Sequence, residues 1–348
     1  MMDSKFDTVV LDIETDSLDA TKVHCICIQD YATGEQRDFI QEQGCKEFKE
    51  FHNHERKYIM HNGISFDGPV LERLLGITIP LENIIDTLLI SQMINAHIDG
   101  GHSLKSWGKK LTRGGKLEFK DFEEYSEEML KYCQQDVYVT RKLMQHLAPK
   151  ITRFSVESVR MEHRIRRIID QQEKNGFAFD MMKAQQLLAK LKEDIYDLEQ
   201  WSLEEFEPTI VEMKTKTKEI PFNIGSRQQI ADRLMKKGWK PKQFTDKKNI
   251  IINEAVLKTI KEPELKLTAE RFSKYFLLQK RAVMVESWID ACDNDNRVHG
   301  KVMTLRTITG RMAHNSPNMA QVPAVYSPYG KDCRGLWTIS DPMKYKLV

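Results

Sequence analysis

A chain of 348 residues with 41% hydrophobic and 30% charged side chains has room for two or three domains, each with a buried core. No run of 18 apolar residues occurs, which excludes a transmembrane helix, and Met1–Asp7 lacks the basic-then-apolar order of a signal peptide. The net charge of +2 hides an asymmetry. Residues 1–150 hold 18 basic and 25 acidic side chains, whereas residues 151–348 hold 35 and 26. An acidic part able to hold cations thus precedes a basic part able to neutralise phosphates. Cys25, Cys27, Cys45, Cys133, Cys292 and Cys333 form no C-x-x-C pair. Reduced, mostly buried thiols of a cytosolic protein are expected.

In chain order, Thr8–Ile13 (TVVLDI), Val23–Tyr31 and Glu35–Ile40 read as strands, and Tyr58–His61 as a short fourth. Phe66–Leu75 and Thr87–Ala96 read as helices. Residues 112–126, with Gly114-Gly115 and many charges, read as a loop. Apolar residues at helical spacing over Glu127–Leu147 predict a helix that Pro149 ends. Strands first and helices after imply an α/β domain with a sheet of mixed direction. From Ser155 the pattern is helical: Val156–Lys174, stopped at Asn175-Gly176, then Asp180–Glu205 with Asp180 as N-cap. Residues 207–221 are polar and Lys-rich and read as a mobile connector. Ser226 caps a helix through Lys237, and Pro263–Cys292 forms another long one. After Asn296 short extended pieces return, so boundaries are expected near 150 and 296.

Three short elements carry chemistry. Asp12 and Glu14 lie two apart at the end of the first strand, where alternate residues share a face and two carboxylates can grip divalent cations. Alone, such a pair is as readily a solvated turn. Asp67, in Asn62-Gly-Ile-Ser-Phe66-Asp67, follows a strand and starts a helix, which also suits a helix cap. Tyr132 and Asp136 sit at i and i+4 and project together from one helix face. In this order the four carboxylates suit a two-metal site. There one ion activates water, the other stabilises the leaving 3′ oxygen, and a tyrosine hydroxyl orients the attacking water.

This constellation resembles the D-E-D-D core of the DnaQ-like 3′→5′ exonucleases. Asp12, Glu14, Asp67 and Asp136 match the carboxylates and Tyr132 the fifth residue. The sister subtype has His five residues before the last Asp. Lys131 stands there in this sequence, so the resemblance is to the Tyr subtype. It implies an RNase H-like fold for residues 1–150, two Mg²⁺ or Mn²⁺ ions, Leu18 as a wedge against the terminal base, and Asn62 and Phe66 as contacts to single-stranded DNA.

Thr309-Gly310-Arg311, Pro317-Asn318-Met319-Ala320-Gln321-Val322-Pro323 and Tyr329-Gly330-Lys331-Asp332-Cys333-Arg334 resemble the T-G-R…P-N-L-x-Q-I-P segment of family A DNA polymerases. The wording fits the replicative branch of short-tailed T-odd phages. Phe222-Asn223, Ser226, Gln229 and Leu278-Gln279-Lys280-Arg281 are similar to that family's thumb. The resemblance implies primer–template contacts by Thr309, Gly310, Arg311, Asn318, Gln321 and Arg334, of a kind that positions rather than specifies.

The expected architecture is therefore an RNase H-like exonuclease domain (1–150), a mainly helical thumb (151–295) and the start of an α+β palm (296–348). Only residues 202–221 occupy the place of the thioredoxin-binding insertion of some relatives, which is too short for such a clasp. The sequence runs to Lys346-Leu347-Val348 without D-x-S-x-x-E, the K…Y-G helix or V-H-D-E. The expectation is a proofreading DNA exonuclease within a split or truncated polymerase of the infected bacterial cytoplasm. Such a chain does not polymerise by itself and needs a second polypeptide with the remaining palm and fingers. Two alternatives stand beside it: a DNA-binding subunit that completes a partner's palm, and an RNA exonuclease of the RNase D kind, against which the T-G-R segment argues.

Overall fold

The computed structural model describes residues 6–113, 117–212, 217–339 and 343–344. Gly114-Gly115 and Lys346-Leu347-Val348 lie outside the described residues. The chain forms two compact units, Met1–Asn175 with Lys301–Asn315, and Gly176–Gly300 with Ser316–Val348.

The first unit is built on a five-stranded sheet. Strands β1 (Thr8–Thr15), β2 (Val23–Asp30) and β3 (Gln36–Ile40) precede helix α1 (Gln41–Phe51), and β4 (Lys57–Met60) precedes the single turn α2 (Asp67–Val70). A π-helical turn, Leu71–Leu75, continues α2, so the helix expected over Phe66–Leu75 is real but irregular. Then come β5 (Ile84–Asp86), α3 (Thr87–Ile94), α4 (Leu104–Leu111), α5 (Glu127–Ile151) and α6 (Val156–Asn175). The strand order is β3-β2-β1-β4-β5. β1 is antiparallel to β2 and parallel to β4, and β4 is parallel to β5, the mixed direction read from the sequence.

β1 reads as a nearly unbroken apolar run because both faces of the sheet are covered. Val9, Leu11 and Ile13 join Phe39, Phe48 and Leu71 on the α1 side. Val10 joins Cys25, Cys27, Leu130, Cys133 and Val137 on the α5 side. α5 starts where Ser126 accepts the Met129 N–H at 3.1 Å. It runs two residues past Pro149, which falls inside its last turn instead of ending it. α1 and α4 lie outside the sequence expectation. Cys45 and Phe48, three apart, are the buried anchors of α1, and Ser103 caps α4.

The second unit opens with β6 (Phe177–Ala178) and α7 (Met181–Glu205), capped by Asp180 as expected. Within residues 207–221, expected only as a polar, mobile connector, β7 (Thr209–Glu212) pairs with β8 (Thr217–Ile220). Backbone pairing there needs no apolar face. α8 (Arg227–Lys236), capped by Ser226, α9 (Glu254–Leu257) and α10 (Pro263–Asp290) follow. Leu187, Leu191, Ile195 and Leu198 of α7 share one core with Leu265, Phe272, Leu278 and Val285 of α10. β9 (Arg297–Val298) pairs with β6. β10 (Lys301–Met303) and β11 (Ala313–Asn315) pair with each other in the first unit, and α11 (Gly330–Arg334) returns to the second. Trp337 packs against Trp288 of α10 with centroids 5.2 Å apart.

Candidate metal centre

β1 overhangs its parallel neighbour: the β1–β4 pairing ends at Val10 and Ile59, while β1 continues to Thr15. The overhang carries Asp12 and Glu14. On its other side Asp12 faces Cys27 and Glu14 faces Cys25, and the register breaks between Glu14 and Thr15. Glu14 is 6% exposed and Asp12 half-buried. From α5, the Cys133 thiol lies 3.5 Å from the Asp12 carbonyl oxygen and 3.7 Å from its Oδ2. Ligand atoms of Asp12, Glu14 and Cys133 all lie within 4.8 Å of one another.

Asp67 lies against the overhanging strand at Ile13. It begins α2 and is 5% exposed. Burial is the main cause that pushes its carboxyl up to about 7. The negative charges of Asp86 and Asp136 add to this, and a hydrogen bond from the Ile13 N–H on the overhanging edge opposes it. Asp136, 3% exposed, and half-buried Tyr132 project from α5 one turn apart. The Tyr132 ring packs against Phe119 and Phe122, with centroids 5.8 and 6.1 Å away. The Phe122 carbonyl also accepts a bond from the buried His24 Nε2 at 3.0 Å. Residues 117–122, expected as a plain loop, thus form the seat of the tyrosine.

Sequence reasoning missed two carboxylates that shape these loops. Asp86, 1% exposed, caps α3 through the Leu88 and Leu89 N–H groups. It also accepts the Asn62 N–H at 3.1 Å and the Ile64 N–H at 3.2 Å. It therefore holds the loop that delivers Asn62, Phe66 and Asp67, and Asn62 adopts the left-handed φ of 71° that asparagine tolerates. The Asp86 N–H donates to His163 Nε2 at 3.0 Å. Burial pushes the His163 imidazole down, toward its neutral form. The second is Asp16. It accepts the hydroxyl and N–H of Thr21 and the N–H of Lys22, bonds that lower its carboxyl to about 2, with the Thr21 hydroxyl contributing most. This closes the loop on which Leu18 stands 91% exposed. The helix cap of Asp86 was the one signal available in the sequence.

Asn62 is exposed and Phe66 half-buried against the sheet core. Ser65 donates its hydroxyl to Asp170 at 2.9 Å. Arg166 bridges Asp170 and Glu173 and donates to the Val302 carbonyl, which ties this loop, α6 and β10 together. Thr309, Gly310 and Arg311 are exposed on a tight turn closed by the Thr307 hydroxyl, which accepts the Arg311 N–H at 2.8 Å. Gly310 adopts φ 71° there, a conformation that costs glycine least. Asn318, Gln321 and Arg334 belong to the second unit. Asn318 caps a 3₁₀ turn over Met319–Gln321, Gln321 is exposed, and Arg334 Nε donates to the Pro323 carbonyl at 2.8 Å.

A family model described as 3′-5′ exonuclease matches residues 1–152, and one described as DNA polymerase family A matches residues 183–348. Residues 183–348 thus match DNA polymerase family A, and residues 1–152 in front of them a 3′-5′ exonuclease domain. It is 27% identical to the DNA-directed DNA polymerases of Enterobacteria phage T3 and Escherichia phage T7, over 94% of its own length and 64% of theirs. It is 23% identical to the DNA polymerase of Mycobacterium phage L5 over 74% of its length and 45% of that protein. It thus spans less than two thirds of the phage relatives. The aligned span with the T3 and T7 enzymes is 452 residues, longer than this chain, so those relatives carry insertions that it lacks. In fold, 96% of the chain superposes on 55% of the POL domain of Pol1 from M. smegmatis, solved with DNA primer-template and dNTP, with a TM-score of 0.72 and 14% identity. Among the described residues no helix is long and apolar enough to cross a membrane.

Proposed function

We propose that this polymerase-family chain removes nucleotides from the 3′ end of DNA with two divalent metal ions, Mg²⁺ or Mn²⁺, held by Asp12, Glu14, Asp67 and Asp136. The observation that supports this reading is the Asp12–Glu14 pair on the overhang of β1, beside which burial and the charges of Asp86 and Asp136 push the Asp67 carboxyl up to about 7; Glu14, Asp67 and Asp136 are nearly out of solvent. An all-oxygen set of this kind suits hard divalent cations. Bound there, the ions supply an activated water and neutralise charge on the leaving 3′ oxygen. The chain's own groups do the rest. The Tyr132 hydroxyl, its ring fixed by Phe119 and Phe122, orients the attacking water. Leu18 wedges beside the terminal base, and Asn62 and Phe66 hold the single strand without regard to sequence. With Mg²⁺ the chain shortens single-stranded DNA and releases nucleoside 5′-monophosphates. Asp12→Ala and Asp136→Ala each abolish this within assay limits, and wild-type rates in either would refute the assignment.

We assign exonuclease, thumb and start of palm to residues 1–150, 151–295 and 296–348. Compactness alone groups α6 and Lys301–Asn315 with the first unit. Thr309, Gly310, Arg311, Asn318, Gln321 and Arg334 are our candidates for primer–template contacts in the palm. The family's polymerising carboxylate motifs do not occur in these 348 residues. Nucleotide addition calls for further palm and fingers, which these 348 residues do not include.

A further inference from the structure

Beside the carboxylates lies a second donor group of different chemistry. Cys25 and Cys27 alternate on β2 and so share one face of the sheet. Cys133 comes down on that face from α5. All three are 0% exposed, and their sulfur atoms lie within 4.8 Å of one another. Val10, Ile59, Leu130 and Val137 pack around them. The register sets Cys27 opposite Asp12, and the Cys133 sulfur sits 3.7 Å from Asp12 Oδ2. Three sulfurs thus converge on one point, carried by one strand and a helix, with Cys133 shared between them and the Asp12–Glu14 pair.

Tetrahedral thiolate sites hold their metal at about 2.3 Å, which sets neighbouring sulfurs about 3.8 Å apart. The observed sulfurs need close by no more than about 1 Å to reach that spacing, within the reach of small side-chain rotations. Thiolates select soft or borderline ions such as Zn²⁺ and Cd²⁺ over Mg²⁺. We propose that Cys25, Cys27 and Cys133 form a site for one thiophilic divalent cation. Binding forms three metal–sulfur bonds and releases the three thiol protons to solvent. Cys45, Cys292 and Cys333 stand outside this group and take no part in it.

The test uses the full reduced chain, stripped of metal and titrated with Cd²⁺ alone while the sulfur-to-cadmium charge-transfer absorption is followed. One equivalent should develop the absorption of three thiolates and persist in millimolar Mg²⁺. Cys25→Ser and Cys27→Ser should each remove about a third of it and weaken Cd²⁺ binding at least tenfold. Cys45→Ser, Cys292→Ser and Cys333→Ser should change neither. A second readout needs no variant: in partial denaturant, bound Cd²⁺ should shield Cys25, Cys27 and Cys133 from alkylation, mapped by peptide mass, and leave the other three reactive. Absorption that saturates below three thiolates, survives intact in Cys25→Ser, or comes with protection of Cys45, Cys292 or Cys333 instead would overturn the site. None of these readouts depends on nuclease activity, so the site and the nuclease reading fail separately.

Discussion

Replacing Asp86 by alanine removes one carboxylate and deprives four backbone N–H groups, those of Asn62, Ile64, Leu88 and Leu89, of their acceptor. Loss of the α3 cap costs about 1 kcal/mol. The Asn62 and Ile64 donors cost a further ~1–3 kcal/mol each if nothing replaces the oxygen. Against this, the substitution relieves the burial that already pushes the Asp86 carboxyl up, and it removes a charge that repels Asp67. The net expectation is a loss of about 3 kcal/mol, concentrated in the loop and not spread over the unit. Asp86→Asn keeps one acceptor oxygen but turns an amide against the Ile64 N–H, so about half that loss is expected. A loss confined to one loop makes global unfolding a poor gauge of it. The measurement is therefore peptide-resolved hydrogen exchange over 58–70 and 84–94 in the presence of chelator. Faster exchange in both peptides, graded from Asn to Ala, is the expected result. Wild-type exchange in the 58–70 peptide of Asp86→Ala would show that this carboxylate does not hold the loop.

Tyr132→Phe keeps the ring against Phe119 and Phe122 and removes only the hydroxyl. It should slow digestion while calorimetric Mn²⁺ binding stays unchanged, and lost Mn²⁺ binding would contradict the role given to it. In the metal-free protein Asp67 titrates near 7 instead of its ordinary 3.8. Relative to Asp67→Asn, its contribution to stability is thus fully present below pH 4 and lost as the pH rises through about 7. The loss is at most roughly 4 kcal/mol, and Mg²⁺ should restore it. Urea unfolding of both proteins across that range checks this, and a flat difference would refute it. Trp288→Ala empties a site that is 1% exposed beside Trp337 and should cost about 3–5 kcal/mol in unfolding experiments.

Most of the sheet was legible because TVVLDI and VHCICIQD leave little but strand to choose. The D-x-E pair, Asp67 and the Tyr132–Asp136 spacing were legible for a related reason: each is a local pattern. What escaped depends on partners distant in sequence. Asp86 looks like an ordinary helix cap, and it is one, but its other two bonds go to a loop more than 20 residues earlier. Cys25 and Cys27 could be seen as an alternating pair, yet nothing near Cys133 announces that α5 lays it over them. The pairing of Thr209–Glu212 with Thr217–Ile220 was hidden for the opposite reason. Its local signals, charge and flanking prolines, are those of a loop, and only the cross-strand pairing makes it a sheet. Pro149 misled because α5 carries on two residues past it despite the N–H that proline lacks.

The parallel part of the sheet has a consequence for where this molecule can vary. β1, β4 and β5 run in one direction, and the forward end of each hands the chain to a carboxylate: Asp12 and Glu14 from β1, Asp67 after β4, Asp86 from β5. In open sheets of this kind the crevice beyond the forward strand ends is where ligands gather. The rear ends, such as the Asn53–Arg56 turn that leads into β4, hold none of these groups. Insertions, tags or fused partners placed at the rear should leave the carboxylates undisturbed, whereas one residue added between Met60 and Asp67 would rotate Asp67 off the rim. Tolerance to length change is thus polarised along the strands, and a scan of single-residue insertions through both sets of loops would draw that polarity directly.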